Sequence, residues 1–328
     1  MNIVIRVNVS QTEGAGHFNR VITLANEIKK KNSNVYFLCN KIQKNFENLI
    51  IKNKFKYILI KNFSSLDYEL KDINYTIKAI KRIKKPINVI ILDSYLLGYK
   101  WEKNLITYTD KMIVLDDLDR KHFCDLYISP LTLPTKKKIL NSGCKILTGL
   151  KYLIIKNVKI KKKSRPINKI LIYMGEADKN NLTLKLLKIL SKKIFHKFRF
   201  QVLIGNNNIN RFKLLKTIRK MKNVSHTVFQ KSLSKILSKI NIGIIGGGST
   251  VFELITNKIP LLIICQNIQQ YKIIKRNKIC NFKYLLKFKK YSNKYLEDFL
   301  KLNLINSKIT SNNNKLDFLA CKRISKYI

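Results

Sequence analysis

The chain has 328 residues, of which 45% are hydrophobic and 26% are charged. This length and composition exclude a peptide scaffold and a disordered protein, and predict about two domains of roughly 150 residues each. The formal net charge of +47 is of the kind found in proteins that bind nucleic acid or anionic membranes. Lysine, isoleucine and asparagine are enriched along the whole chain, however, and no run concentrates arginine and aromatic residues. We therefore attribute the charge to coding bias and expect no specific nucleic-acid partner.

The first half alternates short β-branched runs with longer amphipathic segments. Its predicted strands are residues 2–9, 35–39, 56–60, 88–95, 111–117 and 125–130. Almost continuously apolar strands separated by helical patterns are typical of a parallel sheet covered on both faces. Residues 1–155 are therefore predicted to form a Rossmann-like domain.

A charged stretch interrupted by a proline, residues 151–168, predicts a linker, after which the same alternation resumes. The predicted strands of the second half are 169–177, 198–205, 224–230, 241–248 and 260–267. The fold class is therefore α/β, with two doubly wound Rossmann-like domains that face a cleft. We expect the second domain to span residues 165–328, with a helical tail that returns to the first half. Such sheets bind ligands beyond the carboxyl ends of their strands.

Cysteine and histidine spacing argues against a metal centre. No two cysteines form a CxxC pair, and the four histidines lack ligand spacing with one another. We therefore expect buried thiols in a reducing compartment, with no metal and no cofactor. The start of the chain does not have the pattern of a signal peptide, and no apolar run approaches the roughly 18 residues that cross a bilayer. A cytoplasmic protein without membrane insertion is expected.

A first glycine turn, containing Gly14 and Gly16, joins the first strand to a helix and carries His17. Glycines allow the backbone to approach a ligand closely, and a helix N-terminus attracts anions. The same N-terminus disfavours the imidazolium, which leaves His17 neutral and able to accept a proton. His17 is therefore a candidate general base, with helix capping or packing as the alternative.

A second turn, Gly246–Ser249, again joins a strand to a helix. Gly247, Gly248 and the Ser249 hydroxyl suit a diphosphate, and Ser249 is expected to cap the helix when the site is empty. Glu253, one turn into the helix, is placed to accept both hydroxyls of a ribose. The alternative is that Ser249 and Glu253 only serve the electrostatics of the helix N-terminus.

A third turn follows the first strand of the second half and contains Gly175. Alone it is a routine strand-to-helix turn, with Asp178 near the cap of the next helix.

The order of these motifs resembles one enzyme family. The motifs are GAGHFNR (14–20), ILDSY (91–95), VLDD (114–117), MGEAD (174–178) followed by NLT (181–183), and GGGSTVFE (246–253). Together they resemble the UDP-2,4-diacetamido-2,4,6-trideoxy-β-L-altropyranose hydrolases of pseudaminic acid biosynthesis. That family is related in fold to GT-B glycosyltransferases such as the lipid II-forming GlcNAc transferase. The resemblance covers roughly residues 1–275.

The resemblance implies roles for individual residues. His17 becomes the base that activates water, with Gly14 and Gly16 shaping its loop. Asp93 and Tyr95 match an acid-x-tyrosine at a strand end, where Tyr95 would line the sugar pocket; an ordinary half-buried tyrosine is the alternative.

In the second half the resemblance places Ser249 and Glu253, together with Gly175, Gly247 and Gly248, at the UDP moiety. Arg6, Gln269 and Gln270 match further substrate-binding positions.

Three positions depart from the family pattern. Asn8 stands where the first strand commonly carries Asp, and Gln269 stands where Asn is usual. Glu176 replaces the second glycine of an MGG turn, and its charge would repel a nearby diphosphate.

The resemblance therefore implies an inverting UDP-sugar hydrolase, in which His17 directs water at the anomeric carbon and UDP departs as a stabilised anion. A UDP-sugar is then the expected small-molecule partner. The first alternative is a GT-B glycosyltransferase that passes a nucleotide-activated sugar to an alcohol or lipid. The second is a non-enzymatic basic binding protein.

Overall fold

The computed structural model describes residues 1–8, 16–40, 42, 44–61, 68–156, 160, 169–228, 233–279, 285–286, 292–305 and 316–328. These residues form two units. Unit 1 comprises residues 1–156 and 317–328, and unit 2 comprises residues 157–316. Most of the predicted linker, at 157–159 and 161–168, lies outside the described residues.

Unit 1 is built on a seven-stranded parallel sheet with the order β3-β2-β1-β4-β5-β6-β7. Its strands are β1 Asn2–Val7, β2 Asn34–Cys39, β3 Lys56–Leu59, β4 Val89–Asp93, β5 Lys111–Leu115, β6 Leu126–Ser129 and β7 Lys145–Thr148. Its first four helices are α1 Gly16–Lys29, α2 Lys44–Lys52, α3 Tyr68–Ile83 and α4 Tyr99–Leu105.

Side chains of β1 alternate between two apolar layers, as expected of a strand with both faces buried. Ile3 and Ile5 join the layer that contains the apolar face of α1, whereas Val4 packs with residues of α3 and with Trp101 of α4. Val7 pairs with Asp93, which aligns the carboxyl ends of β1 and β4. The sheet thus brings the turn that follows each strand to one edge.

Unit 2 contains a six-stranded parallel sheet with the order β10-β9-β8-β11-β12-β13. Its strands are β8 Lys169–Tyr173, β9 Arg199–Ile204, β10 Val224–Val228, β11 Ile242–Gly246, β12 Leu261–Ile264 and β13 Leu285–Leu286. Its helices are α5 Leu182–Leu190, α6 Arg211–Ile218, α7 Ser234–Leu237, α8 Thr250–Thr256, α9 Ile268–Arg276 and α10 Asn293–Leu300. The two parallel sheets confirm the predicted fold class.

The terminal segment, residues 317–328, belongs to unit 1, the half to which the tail of the second domain was expected to return. Its helix α11, Ala320–Ile324, buries Cys321 and Ile324 in the α1 layer of unit 1. Lys111 Nζ also donates to the backbone oxygen of Tyr327, over 2.8 Å. Apolar burial therefore holds the end of the chain against unit 1.

Two edge strands, β7 and β13, were not predicted. Each is short, and β7 holds a single buried residue, Leu147, so neither produces a long apolar run.

Four of the five described cysteines are buried: Cys39, Cys124, Cys265 and Cys321. Cys144 is partly exposed, and Cys280 lies outside the described residues. Among the described helices, none is long and apolar enough to cross a membrane.

Candidate functional site

His17 and Asp93 form a buried pair at the carboxyl edge of the unit 1 sheet. His17 lies in the first turn of α1, and Asp93 is the last residue of β4. The Nδ1 of His17 lies 2.5 Å from Oδ1 of Asp93. Because an ionised carboxylate only accepts hydrogen bonds, this contact assigns the proton to Nδ1 and the lone pair to Nε2. His17 is thus held in the tautomer that a general base requires.

Arg20, one helical turn after His17, holds Asp93 in its ionised form. Its Nε and Nη2 both donate to the Asp93 carboxylate, the latter over 2.6 Å. Its Nη1 donates to Asp117 over 3.0 Å. Burial opposes ionisation of Asp93, but the charge and hydrogen bonds of Arg20 and the contact with His17 outweigh it and lower the pKa of Asp93. The carboxylate therefore remains an acceptor at neutral pH.

Tyr95 lies against the imidazole of His17. The two ring centroids are 4.3 Å apart with an interplanar angle of 85°, an edge-to-face contact. Burial and the nearby carboxylates, Asp117 first, raise the pKa of Tyr95 to about 12 against the opposing charge of Arg20. Since 40% of Tyr95 is exposed, its protonated hydroxyl is available to donate to a ligand.

The backbone beneath Tyr95 is held by Arg120. Its Nη1 donates to the Tyr95 carbonyl over 2.9 Å and its Nη2 to the Ser94 carbonyl over 2.6 Å. Its Nε donates to Asp116 over 2.5 Å. Arg120 thus joins the turn after β4 to the turn after β5, and it is a positioning residue for Tyr95.

Asp116, the carboxylate that accepts from Arg120, also lies next to the buried His122. The Nδ1 of His122 lies 2.7 Å from Oε1 of Glu102, and its Nε2 lies 3.1 Å from Oδ2 of Asp116. The Nε2 contact falls outside hydrogen-bond geometry, so it acts chiefly through charge. Burial lowers the pKa of His122, but the two carboxylates outweigh burial and raise it to about 9. His122 is therefore an imidazolium that neutralises the buried carboxylates.

Arg6, predicted to bind substrate, is fully buried. Its Nε donates to Asp72 over 3.1 Å and its Nη1 to Asn8 over 2.6 Å, while Nη2 donates to Asn40. The amide of Asn8 in turn donates to Tyr68 over 2.9 Å. In this structure Arg6 orients polar neighbours and has no surface of its own to offer a ligand, which corrects the expectation of direct contact.

Gln270 braces the glycine turn of unit 2. Its Oε1 accepts from the Gly247 amide over 3.2 Å and from the Gln266 amide over 2.8 Å. The Gln266 side chain donates to the backbone oxygen of Met174, in the turn after β8. These two glutamines therefore connect the turns that follow β8, β11 and β12, and Gln270 shapes the glycine turn from within.

Glu176, the charged departure from the family pattern, has its carboxylate engaged. Its Oε1 accepts from the Asn206 amide over 3.1 Å, and its Oε2 lies 3.5 Å from the Tyr173 hydroxyl. A Cβ built on Gly205 would lie 2.0 Å from the Glu176 carbonyl oxygen, so only glycine allows this approach. The neighbouring Gly175 has a φ of +94°, which also favours glycine.

The remaining predicted residues of unit 2 differ in exposure. Asp178 is buried and caps α5 by accepting from the amides of Leu182 and Thr183, each over 2.9 Å. Ser249 stands at the N-cap of α8 but makes no capping hydrogen bond there, contrary to expectation. Glu253 is partly buried and acts electrostatically on Tyr173. Three predicted residues are exposed: Gly248, Ser249 and Gln269.

In unit 1 the structure brings together His17, Asp93 and Tyr95, and Gly16 opens α1 beside them. Gly14 lies outside the described residues. Sequence reasoning missed Arg20, Asp117, Arg120 and Gln266. Arg20 and Asp117 do stand inside the GAGHFNR and VLDD motifs, so their charge was a usable signal. Arg120 and Gln266 lie outside the quoted motifs, so no such signal was available for them.

Comparisons with known proteins place this geometry in a structural context. No family model matches the chain. An uncharacterised protein of Methanocaldococcus jannaschii is 29% identical over 290 residues, which are 81% of this chain and 56% of that protein. The chain thus spans about half the length of this curated relative.

Solved structures share the fold of the whole chain. MurG of Acinetobacter baumannii has a TM-score of 0.68 at 12% identity and covers 100% of this chain and 99% of its own. Anabaena HepE, solved with UDP and glucose, has a TM-score of 0.66 at 8% identity, with 99% and 98% covered. The UDP-GlcNAc 2-epimerase of Neisseria meningitidis, bound to UDP-GlcNAc, has a TM-score of 0.60 at 12% identity, with 99% of both chains covered. The chain therefore has the two-domain GT-B architecture.

Proposed function

We propose that this chain hydrolyses a UDP-activated 2,4-diacetamido-2,4,6-trideoxy sugar at its anomeric C–O bond, releasing UDP and the free sugar. The observation that carries the proposal is the contact of His17 Nδ1 with Asp93, at 2.5 Å. It leaves Nε2 of His17 as the atom that removes a proton from water. Asp93 stabilises the imidazolium that forms, and Arg20 keeps Asp93 ionised throughout.

Each unit supplies a different part of the reaction. In unit 1, His17 activates water and the Tyr95 hydroxyl donates a hydrogen bond to the sugar. In unit 2, the glycine turn with Ser249 holds the diphosphate, and Glu253 accepts the ribose hydroxyls. Because UDP leaves as a stabilised anion, the chemistry depends mainly on positioning and on one base.

Two observations support a UDP-linked substrate. HepE was solved with UDP and glucose and the epimerase with UDP-GlcNAc, and both share this fold along nearly the whole chain. The ordered motifs from GAGHFNR to GGGSTVFE favour the diacetamido sugar over those of these two structures. The backbone amide of Asn206 orients the Glu176 carboxylate but leaves its negative charge in place, so a diphosphate must bind away from that carboxylate.

A glycosyltransferase is the second candidate. The full-length likeness to MurG favours it, because transferases of that type share the donor site and differ in the acceptor. In this chemistry His17 would remove a proton from an acceptor hydroxyl in place of water. UDP release that depends on an added alcohol or lipid would identify this function.

The test incubates the protein with a panel of UDP-sugars in ¹⁸O-labelled water. Mass spectrometry of both products then shows which one carries the label. Attack at the anomeric carbon places the label on the sugar, with inversion of configuration. Label in UDP, or a sugar released with retained configuration, contradicts the proposed mechanism. If another UDP-sugar is cleaved and the UDP-diacetamido sugar is not, the proposed reaction stands and only the proposed substrate is contradicted.

The matched variants are His17→Ala and His226→Ala, the second being an exposed histidine of β10. We expect His17→Ala to lower turnover by about 10² to 10⁴ and to leave UDP affinity within a few-fold, since UDP is assigned to unit 2. His226→Ala should keep wild-type turnover. Unchanged turnover in His17→Ala would remove His17 from the mechanism.

A further inference from the structure

Two bulky apolar side chains of unit 2 stand out from the described surface. Ile209 is 86% exposed and Phe212 is 88% exposed, whereas the next most exposed large apolar residue, Leu133, reaches 61%. Ile209 lies in the loop that follows β9, and Phe212 is the second residue of α6. The two residues flank Asn210, the N-cap of α6, so both belong to the segment at the start of this helix.

The helix α6 is anchored without them. Leu214 and Ile218 are its buried residues, and both belong to the core of unit 2. Phe212 lies away from this buried side and gains nothing from the core. Exposing Ile and Phe this fully costs hydrophobic free energy that burial against a second surface would recover.

The same helix and the turn after it are strongly cationic. Six basic residues fall within 211–222, and all are exposed: Arg211, Lys213, Lys216, Arg219, Lys220 and Lys222. In the part of the chain that the structure describes, none of the six forms an ion pair. The sequence has no acidic residue between Asp178 and Glu253, so no local carboxylate offsets this charge along that stretch.

We propose that residues 209–222, the α6 surface, dock on a lipid bilayer that contains anionic phospholipid. Ile209 and Phe212 enter the boundary between headgroups and acyl chains, and the six cations stay among the phosphates. This pairing of an apolar wedge with a basic polar face is what attaches peripheral helices to membranes. The docking is peripheral, so it requires no membrane-spanning helix, and it is independent of the reaction proposed above.

The test separates this surface from general adsorption of a basic protein. Binding is measured by co-sedimentation with vesicles of phosphatidylcholine alone and with vesicles that also contain phosphatidylglycerol, at about 0.1 M salt, where long-range charge effects are screened. The variant is Ile209→Ser with Phe212→Ser, which leaves the net charge unchanged. The control is Leu133→Ser, an exposed apolar residue of unit 1.

We expect binding to phosphatidylglycerol vesicles only, a loss of at least about tenfold in the double variant, and no change in the control. Equal binding of the double variant would show charge adsorption alone and overturn the proposal, as would absence of wild-type binding. Concentration-dependent self-association without vesicles, abolished in the double variant, would also overturn it, because a second copy would then be the partner.

Discussion

The chemistry of His17 is decided by one neighbour. A neutral imidazole carries its proton on either Nδ1 or Nε2, and the other nitrogen has the lone pair. A general base at this position needs the lone pair on Nε2, the nitrogen that does not contact Asp93. Asp93 selects that tautomer through Nδ1, and Arg20 keeps the carboxylate ionised despite complete burial. The three side chains therefore act as one unit, and changing any member alters the other two.

Asp93→Asn tests this unit. The amide NH₂ is able to donate to Nδ1 of His17 and so favour the wrong tautomer, and Arg20 loses its main partner. We expect kcat to fall by about 10² to 10⁴ with KM changed only a few-fold, measured by steady-state UDP release. Asp117→Asn, which removes the charge from the outer partner of Arg20 and keeps an acceptor oxygen, is the control and should lose less than about tenfold. A kcat within threefold of wild type in Asp93→Asn would exclude this role.

Glu253→Ala tests the nucleotide assignment. If Glu253 accepts the ribose hydroxyls as a charged acceptor, UDP affinity should fall by about 1.5 to 3 kcal/mol, measured by calorimetry. Glu253→Gln keeps the acceptor oxygen without the charge and should fall by less. Unchanged affinity with a small loss of thermal stability would indicate that Glu253 serves only the helix N-terminus.

At this level the resemblance implied that His17, Asp93 and Tyr95 serve one site, and the structure has the three side chains in contact at the carboxyl edge of the unit 1 sheet. It did not predict the burial of Arg6. In a sequence, a charged residue within a strand is compatible both with contact to a ligand and with a buried ion pair. Its partners, Asp72 and Asn40, lie far along the chain.

The proposed site residues of both sheets lie at strand ends and in turns, and long-range hydrogen bonds connect these turns. Arg120 joins the turns after β4 and β5 in unit 1. Gln266 and Gln270 do the same for three turns in unit 2. These hydrogen bonds thereby restrain the turns that carry the proposed site residues.

Arg120→Met tests whether this hold matters for Tyr95. The substitution keeps a flexible apolar stem but removes the donors to the Ser94 and Tyr95 carbonyls. We expect kcat to fall by about tenfold or more and the free energy of unfolding to fall by about 1 to 3 kcal/mol. UDP affinity should be unchanged, because the UDP site is assigned to unit 2.

Arg120→Lys separates positioning from stability. It restores one donor and the ion pair with Asp116, so stability should largely recover while kcat recovers only in part. Full kcat in Arg120→Met, at a concentration and temperature where the variant is folded, would show that Tyr95 needs no such support.

Periodicity predicted the core strands and missed two of the edge strands. The core strands β1, β4, β8 and β11 are apolar runs in the sequence and strands in the structure. The edge strands β7 and β13 were missed, since pairing with a neighbouring strand defines them more than their own composition does.

The stability of unit 1 should depend on pH through His122. Its folded pKa of about 9 lies above the unfolded value of 6.5. A raised pKa contributes stability that is fully present below the unfolded value and is lost as the pH rises through the folded value. Unfolding should therefore become easier from pH 6.5 upwards, with a loss that approaches about 3 kcal/mol above pH 9.

Urea unfolding at several pH values, for wild type and His122→Gln, measures this dependence. The amide of the substituted side chain does not titrate in this range, so the variant should be less stable at pH 6.5 and show a flatter dependence. Comparing the two proteins cancels the contribution of the cysteine thiols, which is common to both. Parallel pH curves would show that His122 is not an imidazolium in the folded state.

The return of residues 317–328 to unit 1 means that this unit folds from two segments that are made at different times on the ribosome. Ile324 is fully buried in unit 1, yet it is synthesised after the whole of 157–316, which is unit 2. At ordinary translation rates this separates the two parts of unit 1 by on the order of ten seconds. During that interval the α1 layer of unit 1 lacks Cys321 and Ile324, which complete its packing in the folded protein. Unit 2, continuous in sequence, is therefore free to finish folding first, and nascent unit 1 is the part that needs protection from aggregation.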